Sequence, residues 1–196
     1  MLIGQTPVVE LRRLAPSPAI RLFAKLEWAN PTGSVKDRVA QAMIADALAS
    51  GALREGQTIL EPSSGNTGIS LAMIGARLGH PVRIVMPDNT TPERTQLLGA
   101  LGAEIVYSPG AGGSNGAIRL AQEQVVADPD LFMPMQYANQ ANPRVHEETT
   151  GPEILADVPD LDVFVAGLGT GGTLTGVGRY LKAKRTDLRV IAAEPL

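Results

Sequence analysis

The sequence lacks cysteine altogether, which excludes a disulfide framework and any metal site built on thiolates. Aromatic residues make up only 4% and the formal net charge is −3, so the chain has neither the stacking surfaces nor the basic patch of a nucleic-acid-binding protein. No apolar run approaches the length of a membrane span, and residues 1–7 do not have the charged-then-apolar order of a signal peptide. We therefore expect a cytoplasmic protein without nucleic-acid or membrane partners.

Glycine and proline are abundant, with 21 and 15 among 196 residues, and they fall between apolar segments rather than in a low-complexity tract. The periodicity of those segments predicts strands at 20–27, 58–60, 82–86, 104–107, 163–166 and 190–193. It predicts helices at 35–48, 69–78, 115–127, 145–156 and 174–184, and a further helix to residue 101 that begins at a capping box formed by Thr90 and Glu93. This alternation predicts an α/β fold with parallel sheets covered by helices.

Residues 133–144 are irregular and rich in asparagine, glutamine and proline, which is typical of a crossing between two domains. His80 and His146 have no second ligand at metal-binding spacing. We expect both histidines at the surface or as helix caps, and no metal site.

The first motif that could carry catalytic chemistry is the turn before the helix that begins at residue 35. Pro31 and Gly33 end the preceding strand pattern, and Ser34 suits a helix N-cap. Lys36 therefore stands in the first helical turn, where the helix dipole disfavours a cation, and a neutral amine can attack a carbonyl to form a Schiff base. The alternative is a surface lysine after a turn.

Two glycine-rich turns follow, each between a strand and a helix. Residues 62–68 read Pro-Ser-Ser-Gly-Asn-Thr-Gly, whose hydroxyls and helix-start amides suit a carboxylate, although a well-capped helix start explains them equally well. Residues 167–173 read Gly-Leu-Gly-Thr-Gly-Gly-Thr and suit a phosphate. The second turn also satisfies the dinucleotide G-x-G-x-x-G pattern, with Glu194 as the ribose-binding acid, somewhat late for the usual spacing.

Together these motifs resemble the cysteine synthase family of pyridoxal-phosphate (PLP) enzymes, the β-replacing branch of the tryptophan-synthase-like fold. The resemblance also rests on Gln136 and on residues 149–153, Thr-Thr-Gly-Pro-Glu, and it runs nearly end to end. It implies PLP fold type II, with two open, doubly wound parallel-sheet domains and the cofactor cleft between them. Residues 36–140 would form the smaller domain, and residues 1–35 with 141–196 would form part of the larger one.

The resemblance also implies roles for particular residues. Lys36 would be the catalytic residue and the covalent anchor of PLP, and Asn66 would bind the pyridoxal 3′ oxygen. The cofactor phosphate would be held by Gly169, Thr170, Gly171, Gly172 and Thr173. The substrate carboxylate would be held by Ser63, Ser64, Gly65, Asn66, Thr67 and Gln136. Ser63 stands where the family more often has threonine. Residues 149–153 would be a structural helix segment near the cofactor.

The implied reaction replaces the β-substituent of O-acetylserine or O-phosphoserine with sulfide, or sulfur from a sulfide donor, to give L-cysteine. Residues 89–94 and 112–115 resemble the B-type branch, which includes O-phosphoserine users. The family implies a homodimer and a serine acetyltransferase or sulfur-carrier partner. Alternatives are a dinucleotide-binding domain, a non-catalytic or truncated relative acting as a partner subunit, or another β-replacing enzyme such as cystathionine β-synthase. Because Glu194, Pro195 and Leu196 directly follow a strand, and no residue matches the family's pyridine-nitrogen ligand, we expect a C-terminally incomplete chain whose larger domain is truncated.

Overall fold

The computed structural model describes residues 2–194, and these form two compact units. The first unit contains the described residues up to Arg38 and those from Gln140 onward, and the second contains Val39–Asn139. The assignment of residues 36–140 to a smaller domain and of the flanks to a larger one stays a prediction. Pro195 and Leu196, on which the expectation of an incomplete chain partly rests, lie outside the described residues.

The second unit is a strand–helix alternation around one parallel sheet. Helix α1 (Lys36–Ala49) begins in the first unit and continues into this one. The elements that follow are β3 (Thr58–Pro62), α2 (Asn66–Leu78), β4 (Val82–Pro87), α3 (Pro92–Ala100), β5 (Glu104–Ser108), α4 (Gly113–Ala127) and β6 (Leu131–Phe132), numbered after the first unit's β1 (Val8–Glu10) and β2 (Phe23–Lys25). The strand order is β5-β4-β3-β6, and every pair is parallel.

The central strands of this sheet are buried on both faces. Leu60 of β3 and Val85 of β4 are fully buried and pack against Ala117 and Ala121 of α4. Continuous apolar runs are what a parallel sheet with helices on its faces requires, because neither face meets water. The predicted α/β fold with parallel sheets is thereby confirmed.

The first unit holds three further groups of elements. Strands β1 and β2 pair antiparallel. Helices α5 (Ala141–Val145) and α6 (Gly151–Asp157) are joined without a break by a π-helical turn, His146–Thr150. Strand β7 (Val163–Gly167) pairs parallel with β8 (Arg189–Ala193), and α7 (Gly172–Lys184) connects them. Val177, Leu181 and Leu188 are fully buried and form the core of this unit with Ile154.

Several predicted boundaries are wrong, and the reasons are local. The strand expected at 20–27 is only Phe23–Lys25, because its partner β1 has only three residues and follows Pro7, which has no N–H to donate; a 3₁₀ turn covers Glu27–Ala29. Strands β1 and β6 were not predicted, since each is too short to show alternation. The Thr90–Glu93 capping box is absent: the N-cap is Thr91, without a side-chain hydrogen bond, and the Thr90 hydroxyl donates to the Pro87 carbonyl.

Four helices begin earlier than apolar periodicity predicted. Helix α2 begins at Asn66 rather than residue 69, α4 at Gly113 rather than residue 115, and α7 at Gly172 rather than residue 174. Helical structure also begins at Ala141, inside the segment expected to be irregular up to residue 144. These first turns contain glycine and polar residues, so they carry no apolar stripe from which a helix could be predicted.

Both histidines were expected at the surface or as helix caps, and the surface position is wrong for both. The backbone N–H of His80 does lie at the end of α2, where it donates to the Gly75 carbonyl at 2.9 Å. His80 and His146 are buried, and the Nδ1 atom of His80 lies 3.0 Å from the Gln57 carbonyl oxygen. Among residues 2–194, no group of side chains could hold a metal ion, and no helix is both long and apolar enough to cross a membrane.

Close packing in the first unit depends on glycine in α7. A Cβ atom at Gly176 would overlap the carbonyl oxygen of Pro143 and crowd the backbone nitrogen of Glu147. Since these are backbone atoms, they cannot move aside as a flexible side chain could. The glycine therefore allows α7 to approach the α5 and π-turn backbone.

We expect Gly176→Ala to lower the free energy of unfolding by about 1–3 kcal/mol, the usual cost of overpacking. The matched control is Gly99→Ala in α3, where nothing lies within 4 Å of the added methyl group. There alanine should stabilise the helix by about 0.5–1 kcal/mol. Urea unfolding of the three proteins measures both changes, and equal effects at the two positions would contradict the close approach.

Candidate functional site

Lys36 lies at the first residue of α1, as predicted. Gly33 adopts φ +81°, a conformation that glycine reaches without strain, and its N–H donates to the Asn30 carbonyl over 2.8 Å. The Ser34 hydroxyl accepts the Lys36 N–H at 3.2 Å. The sequence of turn residues therefore determines where the helix begins and places the lysine there.

A buried acid holds the same turn closed. Asp37 is fully buried, and its carboxylate accepts the Thr32 N–H at 2.7 Å and the Thr32 hydroxyl. An acid in the first turn of a helix is also favoured by the helix dipole. Both effects fix the backbone on either side of Lys36.

Arg38 anchors this turn to the rest of the first unit. Its side chain is 1% exposed and makes paired hydrogen bonds to two carboxylates, at 2.9 Å to both oxygens of Glu27 and at 2.7 Å to both oxygens of Glu153. The hydroxyls of Thr6 and Thr149 complete its surroundings, each at 3.2 Å. Two bidentate ion pairs on one guanidinium impose a fixed orientation, since both the fork and the carboxylates are planar.

The electrostatics of this cluster favour its charged form. Burial alone would raise the pKa of Glu153, but hydrogen bonds from Arg38 and Lys25 hold that pKa at about 2. The Nζ atom of Lys25 lies 2.9 Å from the Glu153 carboxylate. The Glu153 carboxylate is therefore ionised at neutral pH.

Lys36 lines a cavity of about 340 Å³ together with the 167–173 loop and Ala193. The loop leads from β7 into α7, and Gly171, at φ +80°, is the N-cap of that helix. Amides at the start of a helix point outward with a partial positive charge, so this end of the cavity suits a phosphate. An aldehyde-bearing phosphate, such as PLP, fits the set of groups: donors for the phosphate at one end and an amine for the aldehyde at the other.

The pKa of the Lys36 ammonium is lowered, as predicted from the sequence, but the cause is different. Burial removes water from around the ammonium group and so disfavours the charged form. From the sequence we expected the helix dipole to lower the pKa of Lys36. Both causes favour a neutral, nucleophilic amine, although only the tertiary structure supplies the first.

The hydroxyls of the 167–173 loop are held by two side chains that the sequence did not indicate. The Asn142 amide donates to the Thr170 hydroxyl at 3.0 Å, and Nε2 of His146 lies 3.2 Å from the Thr173 hydroxyl. Nδ1 of His146 lies 2.9 Å from the Thr150 hydroxyl across the π turn. Asn142 and His146 are four residues apart, a helical spacing that puts both on one face, and this spacing is the one signal that could have identified them.

His146 is neutral at physiological pH. It is fully buried, and burial, together with the positive charges of Lys36 and Arg38, lowers its pKa to about 4. A neutral imidazole bonds one hydroxyl through each nitrogen, one as donor and one as acceptor. The ring therefore connects the π turn to the Thr173 end of the loop without adding a charge.

The second group of predicted residues lies in the second unit, at the carboxyl end of β3. The Ser63 hydroxyl accepts the N–H groups of Gly65 and Gly68 at 3.3 and 3.1 Å and so organises the first turn of α2. The Thr67 hydroxyl donates to Oε1 of Gln136 at 2.6 Å. The structure therefore brings Thr67 and Gln136 together, although they are 69 residues apart.

The other predicted residues of this group differ in their surroundings. Asn66 is exposed at the first residue of α2, and its carbonyl accepts the Ser70 hydroxyl at 2.9 Å. The Ser64 carbonyl accepts the guanidinium N–H of Arg94 at 2.7 Å. Arg94 thus adds a positive charge beside this helix start, and its place there was not predicted.

Comparisons with known proteins agree with one another. A family described as pyridoxal-phosphate dependent enzyme matches residues 1–196. The chain is 47% identical to cysteine synthases of Staphylococcus aureus strains Mu50 and N315 over 196 residues, which is 99% of this chain and 63% of those proteins. The chain therefore spans about 63% of the length of the curated relatives it matches.

Solved structures give the same result. An O-ureido-L-serine synthase is 47% identical, with a TM-score of 0.95 over 98% of this chain and 61% of that chain. A cysteine synthase from Entamoeba histolytica is 39% identical, with a TM-score of 0.92 over 98% of this chain and 59% of that one. These matches favour the phosphate interpretation of the 167–173 loop over the dinucleotide one.

The lowered pKa of His146 predicts a pH-dependent stability. In the unfolded chain this histidine takes up a proton near pH 6.5, whereas the folded protein protonates it only near pH 4. Its contribution is therefore complete above pH 6.5 and is lost as the pH falls to 4, by about 3 kcal/mol at about 1.36 kcal/mol per pH unit. We expect wild type to lose that much more unfolding free energy over this interval than His146→Gln.

Urea unfolding at several pH values from 7 to 4 measures the difference between the two proteins. Taking the difference cancels the contributions of other groups. His80→Gln, which removes the other buried histidine, is the matched control. Parallel pH profiles for wild type and His146→Gln would contradict the burial of a neutral His146.

Proposed function

Because the chain belongs to the cysteine synthase family of pyridoxal-phosphate-dependent enzymes, we propose that it catalyses β-replacement on an O-activated L-serine, with sulfide or a sulfide donor as nucleophile, to give L-cysteine. The observation that carries the proposal is that Lys36 and the 167–173 loop line one cavity. An amine that forms a Schiff base and a phosphate-binding helix start are the two anchors that the cofactor needs.

Within this proposal Lys36 would hold the cofactor aldehyde, and Gly169, Thr170, Gly171, Gly172 and Thr173 would hold its phosphate. When bound, PLP would supply an electron sink for the charge left at the substrate α-carbon. The Lys36 amine, when it is not bonded to the cofactor, would remove the α-proton as a general base. The burial that lowers its pKa favours the neutral form that this step requires.

The start of α2 is proposed to bind the substrate carboxylate through Ser63, Ser64, Gly65, Asn66 and Thr67, with Gln136 as a further donor, and Asn66 also binds the pyridoxal 3′ oxygen. Helix-start amides attract an anion. Because Oε1 of Gln136 accepts the Thr67 hydroxyl, the NH₂ group of the Gln136 side chain points away from Thr67. A carboxylate requires a donor such as that NH₂ group.

For the leaving group we propose phosphate over acetate. The Arg94 guanidinium lies at the Ser64 carbonyl, and a phosphate ester carries more negative charge than an acetyl ester. Arg94 lies in the 89–94 segment that resembles the B-type branch. Turnover of O-phosphoserine and O-acetylserine with sulfide, in wild type and in Arg94→Gln, tests this: the variant should lose activity mainly with O-phosphoserine.

A second candidate is the formation of O-ureido-L-serine, since a synthase of that name is as similar to this chain as the cysteine synthases are. Both reactions substitute the β-carbon of serine and differ in the attacking atom, sulfur in one and the oxygen of hydroxyurea in the other. Comparing sulfide with hydroxyurea as nucleophile on the same activated serine separates the two. We also propose a homodimer, which sedimentation would show.

We expect Lys36→Ala to lose the covalent cofactor bond and nearly all activity, because no other lysine follows a comparable turn. Borohydride reduction of the wild-type protein, followed by peptide mass mapping, should find the pyridoxyl group on Lys36. The controls Lys182→Ala and Lys184→Ala should keep it. Labelling of Lys25, Lys182 or Lys184 instead would refute the assignment.

We expect Asn66→Ala and Thr67→Ala each to lower kcat/KM by about 10- to 100-fold, since Asn66→Ala removes a hydrogen bond to an ion and Thr67→Ala removes the hydroxyl that orients Gln136. Asn66 is exposed, so its variant should change stability by less than about 1 kcal/mol. Thr67→Ala also removes the donor to a buried amide oxygen and should lower the free energy of unfolding by about 1–3 kcal/mol. Thr67→Ser, which keeps the hydroxyl, is the control and should stay near wild type. Unchanged rates in both alanine variants would show that this helix start is only a structural cap.

A further inference from the structure

Glu61 is a buried acid with no role in the proposed reaction. It lies in β3, a central strand of the parallel sheet, and its side chain is fully buried. Carboxylates are rarely buried in a sheet unless something binds them. What binds this one is the backbone of a distant loop.

Both oxygens of Glu61 accept backbone N–H groups, one at 2.8 Å from Met135 and the other at 3.0 Å from Gln136. Met135 has φ +55°, a left-handed conformation that side chains other than glycine and asparagine seldom adopt. Strain of this kind persists only where the surrounding contacts impose it. The two hydrogen bonds to Glu61 are such contacts.

The sheet itself cannot hold this segment. Strand β6 pairs with β3 only through Leu131 and Phe132, so the chain has left the ladder before Met135. The Glu61 carboxylate therefore accepts two backbone N–H groups that lie beyond the backbone pairing of β3 with β6. Gln136 is 4% exposed, and its amide oxygen accepts the Thr67 hydroxyl at 2.6 Å.

Burial disfavours the ionised form of Glu61, and the two hydrogen bonds from the loop favour it. Burial raises its pKa to about 7, and the hydrogen bonds from Gln136 and Met135 oppose that rise. The ionised carboxylate offers two acceptors for two N–H groups, whereas the protonated acid must direct one O–H at a neighbour.

We propose that Glu61 is a positioning residue for substrate binding: its carboxylate fixes the backbone at Met135 and Gln136 and thereby sets the Gln136 amide against Thr67. The inference rests on the proposed function, in which Gln136 and Thr67 bind the substrate carboxylate. Glu61 does not touch the substrate; it determines where a residue that does so is held.

The test uses the protein with its cofactor bound, as wild type, Glu61→Gln and Gln136→Ala, with O-phospho-L-serine and sulfide. Glu61→Gln keeps the side-chain shape but presents an NH₂ group to one of the two N–H donors. We expect its KM for O-phospho-L-serine to rise about tenfold, with kcat changed by less than about threefold. With the carboxamide analogue of the substrate, the variant and wild type should have similar KM values, which a general structural defect would not produce.

Hydrogen exchange of peptides covering residues 133–139 should be faster in Glu61→Gln. Glu123→Gln, on the exposed face of α4, is the matched control and should match wild type in every measurement. If Glu61→Gln does not fold, Glu61→Asp keeps the charge but withdraws it by one methylene group, and the same rise in KM is expected.

The outcomes separate the two proposals. If Gln136→Ala raises KM while the folded Glu61 variant keeps wild-type KM and exchange, the positioning role of Glu61 is overturned. If Gln136→Ala itself leaves KM unchanged, the proposed role of Gln136 in substrate binding is wrong. A KM increase in Glu61→Gln that is equally large with the carboxamide analogue would also overturn the inference.

Discussion

The ion pairs of Arg38 are the constraint on which the lysine site depends. One guanidinium, almost without exposure, is shared by two carboxylates that come from chain segments far apart in sequence. Removing one carboxylate would leave buried charge without its partner, which costs more than the pair itself contributes. Because Arg38 stands two residues after Lys36 in the same helical turn, the ion pairs of the guanidinium also hold the backbone that carries the lysine.

The two glycine-rich loops at residues 62–68 and 167–173 use the same physical arrangement on different scaffolds. In each, a parallel strand ends in a glycine-rich loop and the first turn of a helix, where amide groups attract negative charge. Each loop then needs a residue from elsewhere to orient its hydroxyl groups. His146 and Asn142 serve the 167–173 loop, and Gln136 serves Thr67. Local sequence creates the positive helix end, and tertiary contacts select the direction in which each hydroxyl points.

The difference between local effects and tertiary contacts explains what could be predicted from the sequence. The α/β class follows from apolar runs separated by glycine, and the place of Lys36 follows from Gly33 and Ser34, because turn and cap preferences are local. The early starts of α2 and α7 could not be predicted from hydrophobic periodicity, since their first turns contain glycine and polar residues and so carry no apolar stripe. The family resemblance supplied the roles of Asn66 and Gln136, which their local sequence did not indicate.

Two buried polar residues, Glu61 and His146, were missed as parts of the candidate sites. Glu61 and His146 look like ordinary strand and helix residues in the sequence, and the partners that satisfy them lie 74 and 27 residues away. Nothing within a window of helical or strand length distinguishes a buried acid from an exposed one. Their burial depends on which distant segments the fold brings alongside them. Those tertiary contacts could not be inferred from this one sequence.

The π turn has a consequence for insertions and deletions. Such a turn contains one residue more than an α-helical turn, and each residue of an α-helix advances the direction of the side chain by about 100°. His146, the first residue of the turn, contacts Thr173, while Glu153, after the turn, contacts Arg38. Deleting one residue from 147–150 would restore a regular helix but rotate one of these side chains away from its partner. A relative that is one residue shorter here must therefore support either its lysine turn or its loop corresponding to residues 167–173 in a different way.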